Sequence, residues 1–223
     1  MRIEPEKYPD LKDSLRLRLM DVRTSRDVLE NAIYRTTDGG YALVAYLELP
    51  GTPDGAGVVN IPRDFAEACG LDPDRILADA MESASTRTDP RLVPLEDMLF
   101  GGGQENLLDS GEKAEDCRLL VLTTRSGILG ASALFYPGMT DRVAEIVGGN
   151  YFILPSSVHE VLIMPEGGDL SPAEMARMVR EINEQEVSPK ERLGNRVLHY
   201  RADFRELQVA ADMDRERDGR EAR

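Results

Sequence analysis

Apolar residues in this chain come in short runs, and the run that constrains it most is YALVAYLEL at 41–49. A strand that is apolar at odd and even positions alike has no face to give to water, so both of its sides must be covered by other elements. Turn residues bracket it, with Asp38-Gly39-Gly40 before and Pro50-Gly51 after, and TPDGAG makes a loop leading to GVVNI as a hairpin partner. No apolar run in the chain exceeds strand length, which leaves no candidate membrane span.

The segments on either side supply covering elements. SLRLRLMDV (14–22) alternates Leu and Arg as a strand with one wet face does, although Leu15, Leu19 and Val22 also fit a helix. Ser25 precedes RDVLENAIYR, where Val28, Leu29, Ala32 and Ile33 predict a short helix with Ser25 as its cap. Phe65, Ala66 and Cys69 share a helical face that ends at Gly70, and Asp72-Pro73 opens a second helix through Ile76, Leu77, Ala80 and Met81. Two helices meeting at a glycine suggest a helix-turn-helix. The second, however, carries Asp74, Asp79 and Glu82 against Arg75, which suits a helix covering a sheet and not one entering a DNA groove.

Residues 101–117, GGGQENLLDSGEKAEDC, combine glycines with five acids and one lysine and mark the expected boundary between a subdomain at 1–100 and another at 118–208. The GGG has no GKS or GxGxxG pattern behind it and so no phosphate-cradling reading. RLLVLTTR (118–125) and GILGASALFYPG (127–138) are expected to form a strand pair turning at Ser126-Gly127, with Ala131, Ala133 and Phe135 alternating against Ser132 and Leu134. Thr140 then caps a helix that ends at Gly148-Gly149.

YFIL (151–154) and VHEVLIM (158–164) read as strands about a PSS corner. Ser171-Pro172-Ala173-Glu174 is a capping box opening an amphipathic helix with Met175, Met178, Val179 and Ile182 on one side. Asn183 in that helix has poor propensity, so solvent exposure is expected, with a hydrogen bond to a loop or a place lining a groove as the alternative. RVLHY (196–200) is a last strand, and 209–223 a charged tail, frayed or disordered. The fold class is therefore α+β, with mixed or antiparallel strands packed with short helices.

Charge excludes some functions. Over 223 residues, 27 Lys and Arg face 41 Asp and Glu, a net charge of −14 and a pI near 4.7, so polyphosphate binding would work against the protein's own field. Aromatics make up 5 % with no Trp, few platforms for stacking bases. Cys69 and Cys117 are too far apart for a CxxC pair or a zinc cluster and read as reduced thiols. The N-terminus MRIEPEKYPDLKD is charged and lacks the apolar core of a secretion signal, so a cytoplasmic location is expected.

One stretch carries a resemblance. GILGASALFYPGMTDRVAEIVGGNYFILPSSVHEVLIMPE, followed by MVREINEQEV and RVLHYRAD, resembles the C-terminal half of the bacterial domain-of-unknown-function family 5688, whose members carry runs similar to GAxxLLYPG, FYILPSSIHEVI and MVxEVN. A weaker likeness runs upstream through AIYRTTDGGYALVAYLEL and IPRDFAEACGLDPDRILADAMESASTRTDPRLVPLEDML, in the order strand, two helices, Pro-rich loop. The longer leader of those proteins is not matched here, and an activity housed in it would be missing. The resemblance implies an architecture and a bacterial source, with no activity, cofactor or catalytic residue.

Nucleophile, base and carboxylate types come together only at Ser156, Ser157, His159 and Glu160. With 157–161 extended, Ser157 and His159 would share a face and Glu160 would point away, allowing a Ser-His pair but denying it this carboxylate. The competing reading makes the serines turn residues and the histidine an internal hydrogen-bonding group. A metal site would need His159, His199 and a carboxylate such as Glu160 drawn from distant strands, so neither metal nor cofactor is expected. Tyr136, Tyr151 and Tyr200 are read as core edges.

The expected function is thus non-catalytic, a protein-binding or regulatory domain with a protein partner, no direct nucleic-acid or membrane binding, and either a monomer or a homodimer. One alternative is an acidic mimic of nucleic acid inhibiting a defence or DNA-processing enzyme. Another is a hydrolase built on the serine and histidine cluster.

Overall fold

The computed structural model describes residues 8–52, 55–101, 105–114 and 118–214. Contacts divide the chain into two units, Met1–Asp89 and Pro90–Arg223. Both units are α+β, and every strand pairing is antiparallel.

The first unit runs α1 (Tyr8–Leu11), a 3-10 turn (Lys12–Ser14), β1 (Leu15–Asp21), α2 (Arg26–Leu29), β2 (Tyr34–Thr36), β3 (Tyr41–Thr52), β4 (Gly55–Asn60), α3 (Arg63–Cys69) and α4 (Pro73–Arg87). β3 organises it. β1 lies along one edge, from Leu15 opposite Leu47 to Asp21 opposite Tyr41, and the other edge is shared end to end by β2 and β4. At their junction Ala45 N donates to Ile33 O, and Ile61 N donates to Ala45 O. Every residue from Tyr41 to Leu47 is buried, as the two-faced apolar pattern requires. α4 lies against β1 and β3, while Leu29 and Ala32 pack on Ala42 and Val44.

Local periodicity and turn residues set several elements of this unit. Leu15, Leu17 and Leu19 of β1 are buried while the arginines between them are half-buried. Gly70, at φ 62°, ends α3, and Asp72 caps α4 by accepting from Asp74 N. The expected helix over 26–35 is only one turn, Arg26–Leu29, because Tyr34–Thr36 pair with Val44, Leu43 and Ala42 of β3. The hairpin loop is also shorter than TPDGAG, since β3 continues to Thr52 and β4 starts at Gly55. Cys69 carries a reduced thiol, and Cys117 lies outside the described residues.

A polar cluster ties α1 to α4. Asp79, buried on α4, accepts from the Tyr8 hydroxyl at 2.6 Å and lies 3.0 Å from Lys12 Nζ and 3.2 Å from Arg75 Nη2. Burial alone would raise its pKa, but the bonds from Tyr8 and Lys12 and the charges of Lys12 and Arg75 outweigh it and hold the carboxyl below its ordinary value. Burial, reinforced by the bond to Asp79, pushes the Tyr8 phenol upward.

The second unit runs β5 (Pro90–Pro94), α5 (Leu95–Phe100), α6 (Leu107–Ser110), β6 (Leu120–Thr124), a 3-10 turn (Gly130–Phe135), α7 (Met139–Val147), β7 (Tyr151–Leu154), β8 (Val161–Pro165), α8 (Pro172–Glu186), β9 (Arg196–Arg201) and β10 (Glu206–Asp212). Its sheet is ordered β10-β9-β7-β8-β6-β5. α8 packs Met175, Ala176 and Val179 against Leu154 and Val197, and the capping box at its start is fully formed.

Several expectations for this unit are corrected. The Pro-rich segment after α4 is an edge strand: its prolines stand at the two ends, and the Asn106 side chain covers the edge, accepting from Leu92 N and donating to Pro90 O. Residues 130–135 coil into a 3-10 turn instead of a strand, because Leu129 takes a left-handed conformation at φ 52° and β6 already has β5 and β8 as neighbours. α7 is preceded by Gly138 at φ 73°, not capped by Thr140. Asn183 takes its alternative role instead of exposure: it is buried, donating to Gly194 O and to Asn195 Oδ1 in the loop after α8. The expected tail contributes β10, whose Ala211 and Asp212 pair with Val197 and Arg196, and Asp214 accepts from Asn195. Residues 215–223 lie outside the described residues.

Candidate functional site

The serine-histidine cluster lies where the chain leaves β7. β8 begins only at Val161; Ser157 makes an isolated bridge to Arg192 and the chain bends at Val158 and His159, so the expected continuous strand over 157–161 does not form. Short polar side chains reach backbone and neighbours there and offer the chain an alternative to the ladder. Ser157 Oγ accepts the His159 N–H at 3.1 Å and donates to Glu160 Oε1 at 2.7 Å, and Ser156 Oγ donates to the same oxygen at 3.5 Å. Both serines are buried.

His159 is engaged elsewhere. Its Nδ1 accepts the backbone N–H of Leu129 at 3.2 Å, which in the neutral ring places the proton on Nε2, 3.5 Å from Glu191 Oε1. Its carbonyl accepts from Thr123 Oγ1 at 2.8 Å. Val158 links the same strip to two further segments, donating to Glu191 O and accepting from Ala131 N. The corner thus joins β6, the 3-10 turn and the loop after α8.

Gly130 shows how closely these pieces meet. A Cβ on it would stand 2.6 Å from His159 O, 2.6 Å from Thr123 Oγ1 and 2.7 Å from Thr124 N, so only glycine fits without displacing backbone.

The structure therefore brings Ser156, Ser157 and Glu160 together and aims the imidazole at Leu129 and Glu191. Nucleophilic attack by serine with histidine as base needs the hydroxyl on the imidazole. Here the hydroxyls bond a carboxylate. His199 sits apart on β9, stacked on Phe152 at 4.6 Å with Nε2 3.3 Å from Glu166 Oε1. Among the described residues, no group of three or more His, Cys, Asp or Glu is placed to hold a metal ion. Tyr151 donates to Thr140 O and Tyr200 to Asp141 Oδ1, so both phenols fasten the sheet to the first turn of α7, and Tyr136 is buried. Burial raises the pKa of both Tyr151 and Tyr200.

A second candidate was absent from the sequence reading. α5 ends in Met98, Leu99 and Phe100, exposed at 44 %, 66 % and 85 %. The helix is anchored at its start, where Leu95 is half-buried and its N–H donates to Leu119 O, and it closes at Gly101, whose N–H donates to Asp97 O. The signal was present as an apolar triplet between the acids Glu96-Asp97 and the glycines at 101–103, a place where no core needs it.

The sequence model of a family of unknown function (DUF5688) matches residues 3–202. No curated protein and no solved structure matches the chain. Among the described residues, no helix is long and apolar enough to cross a membrane.

Proposed function

We propose that this chain, which belongs to the family of unknown function DUF5688, is a protein-binding or regulatory domain that docks a partner on the tip of α5 and performs no chemistry at the Ser-His corner. The observation that carries this reading is the exposure of Met98, Leu99 and Phe100 in sequence. Single exposed apolar residues are ordinary, but large ones grouped on a projecting element mark interaction sites, and aromatic anchors supply much of the energy of interfaces. The corner supports the same reading from the other side, since its hydroxyls, imidazole and carboxylate are spent on one another and on nearby backbone.

The test places a photo-crosslinking phenylalanine analogue at position 100 and, as control, at exposed Glu181 on α8. A discrete adduct is expected from position 100 alone. Its partner, once purified, should bind the unmodified protein and lose about tenfold or more in affinity to Leu99→Asp. Adducts that are the same from both positions, or affinity indifferent to Leu99→Asp, would overturn the reading.

A further inference from the structure

We infer that the partner docked on α5 presents an apolar pocket rimmed by lysine or arginine, an inference that rests on the protein-binding reading above. Shape gives the first half. Met98, Leu99 and Phe100 are consecutive, and successive helical positions fan around the axis at 3.6 residues per turn instead of lining one face. α5 therefore ends in an apolar knob, which fits a concave pocket better than a groove that receives a helical stripe. The most exposed of the three, Phe100, is the anchor.

Charge gives the second half. Over 95–114 the described residues hold Glu96, Asp97, Glu105, Asp109 and Glu112 against Lys113. α5 and α6 both pack on β5, and two of these acids, Glu96 and Asp97, stand on α5 itself. Glu96 is exposed one turn before the knob. Asp109 accepts from Asn106 Nδ2 at 2.9 Å, whereas Glu96, Asp97, Glu105 and Glu112 make no ion pair among the described residues. Carboxylates on the same helix as the apolar tip, with no ion pair among the described residues, set the sign of the rim they meet. A basic rim draws them in over a Debye length of about 10 Å, and an acidic rim or a phosphate-bearing surface is repelled. The net charge of −14 weighs equally against a second copy of this chain as the occupant.

A phage library of small folded domains with a randomised concave face, selected on the full-length protein and counter-selected on Phe100→Asp, reads both halves. The enriched domains should combine apolar side chains lining the concavity with Lys or Arg at its rim. They should bind more weakly as salt is raised and lose about tenfold or more in affinity to Phe100→Asp and to Leu99→Asp, while the variants melt with the wild type. Phe100-dependent domains with a neutral or acidic rim would overturn the basic rim and leave the docking reading standing. Enrichment that neither variant changes would remove the docking reading itself. Sedimentation showing a dimer that Phe100→Asp dissociates would make the occupant a second copy and overturn the inference.

Discussion

The Ser-His corner and the tip of α5 treat the same physical rules in opposite ways. At the corner, the residues with the most chemistry to offer are engaged with one another or with nearby backbone: Ser157 on Glu160, His159 on Leu129 and beside Glu191, Thr123 on the His159 carbonyl. On α5, residues with no chemistry beyond their apolar surface are turned outward, where burial would stabilise them and nothing in the described residues buries them. A polar cluster that satisfies itself specifies a fold, and an apolar cluster left in water specifies a partner. Residue type alone made the first a catalytic candidate beside a structural reading that was preferred, and the docking proposal rests on the second.

The comparison breaks most visibly at Gly130. Replacing it by Ala drives a methyl group into the His159 carbonyl and Thr124 backbone, and the cost should be about 3 kcal/mol or more, read as a lowered denaturation midpoint. A variant as stable as wild type would show that the corner is loosely packed.

A second polar cluster sharpens the same point in the other unit. Asp79→Asn removes the charge that Lys12, Arg75 and Tyr8 surround, and should cost about 2 kcal/mol at neutral pH. The sign of its pH dependence follows from the lowered carboxyl pKa. The stability Asp79 adds is complete above its ordinary value of 3.8 and disappears as pH falls through the lower folded value, so wild type and variant should converge in acid. Melting curves across that range that stay parallel would contradict the assignment.

Elements set by local periodicity or turn chemistry were legible beforehand. The capping box at Ser171, Gly70 after α3, Asp72 before α4 and the two-faced pattern of β3 all appear where periodicity and turn chemistry put them. Segments decided by distant neighbours were not. Residues 34–36 became a strand because β3 offered an open edge, and 130–135 lost their strand because β6 had none. Asn183 left exposure and a loop bond both open because its partners, Gly194 and Asn195, follow only after α8 has ended. The four residues of the polar corner were identified by type, but their pairing depended on a bend that alternation does not reveal. The α5 knob went unnoticed because three apolar letters beside an acidic loop look like the end of a core element.

A smaller effect is expected where β10 was mistaken for tail. Ending the chain after Ala210 removes the Ala211 and Asp212 pairings and the two bonds from Asn195 to Asp214, and should cost about 1 kcal/mol in chemical denaturation. No measurable loss would mean that β10 ends earlier. The smallest effect belongs to α5: Phe100→Asp should change stability by less than about 0.5 kcal/mol, as exposed substitutions do, because the ring touches water. A drop of several degrees in its melting temperature would place the ring in the fold and not at an interface.

Thermal melts of Ser157→Ala and Phe100→Asp beside wild type, run with a broad esterase and phosphatase screen of all three proteins, test most directly whether the corner is a clamp and the tip a docking element. Ser157→Ala should lose about 1 to 3 kcal/mol, because it strips a bond from Glu160 and another from the His159 N–H, while Phe100→Asp melts with wild type and no protein hydrolyses a substrate. Active-site groups are often held at some expense to stability, so the contrary pattern is equally clear. A Ser157→Ala protein that melts at or above the wild-type temperature and has lost a hydrolytic activity the wild type possesses would make the corner an active site.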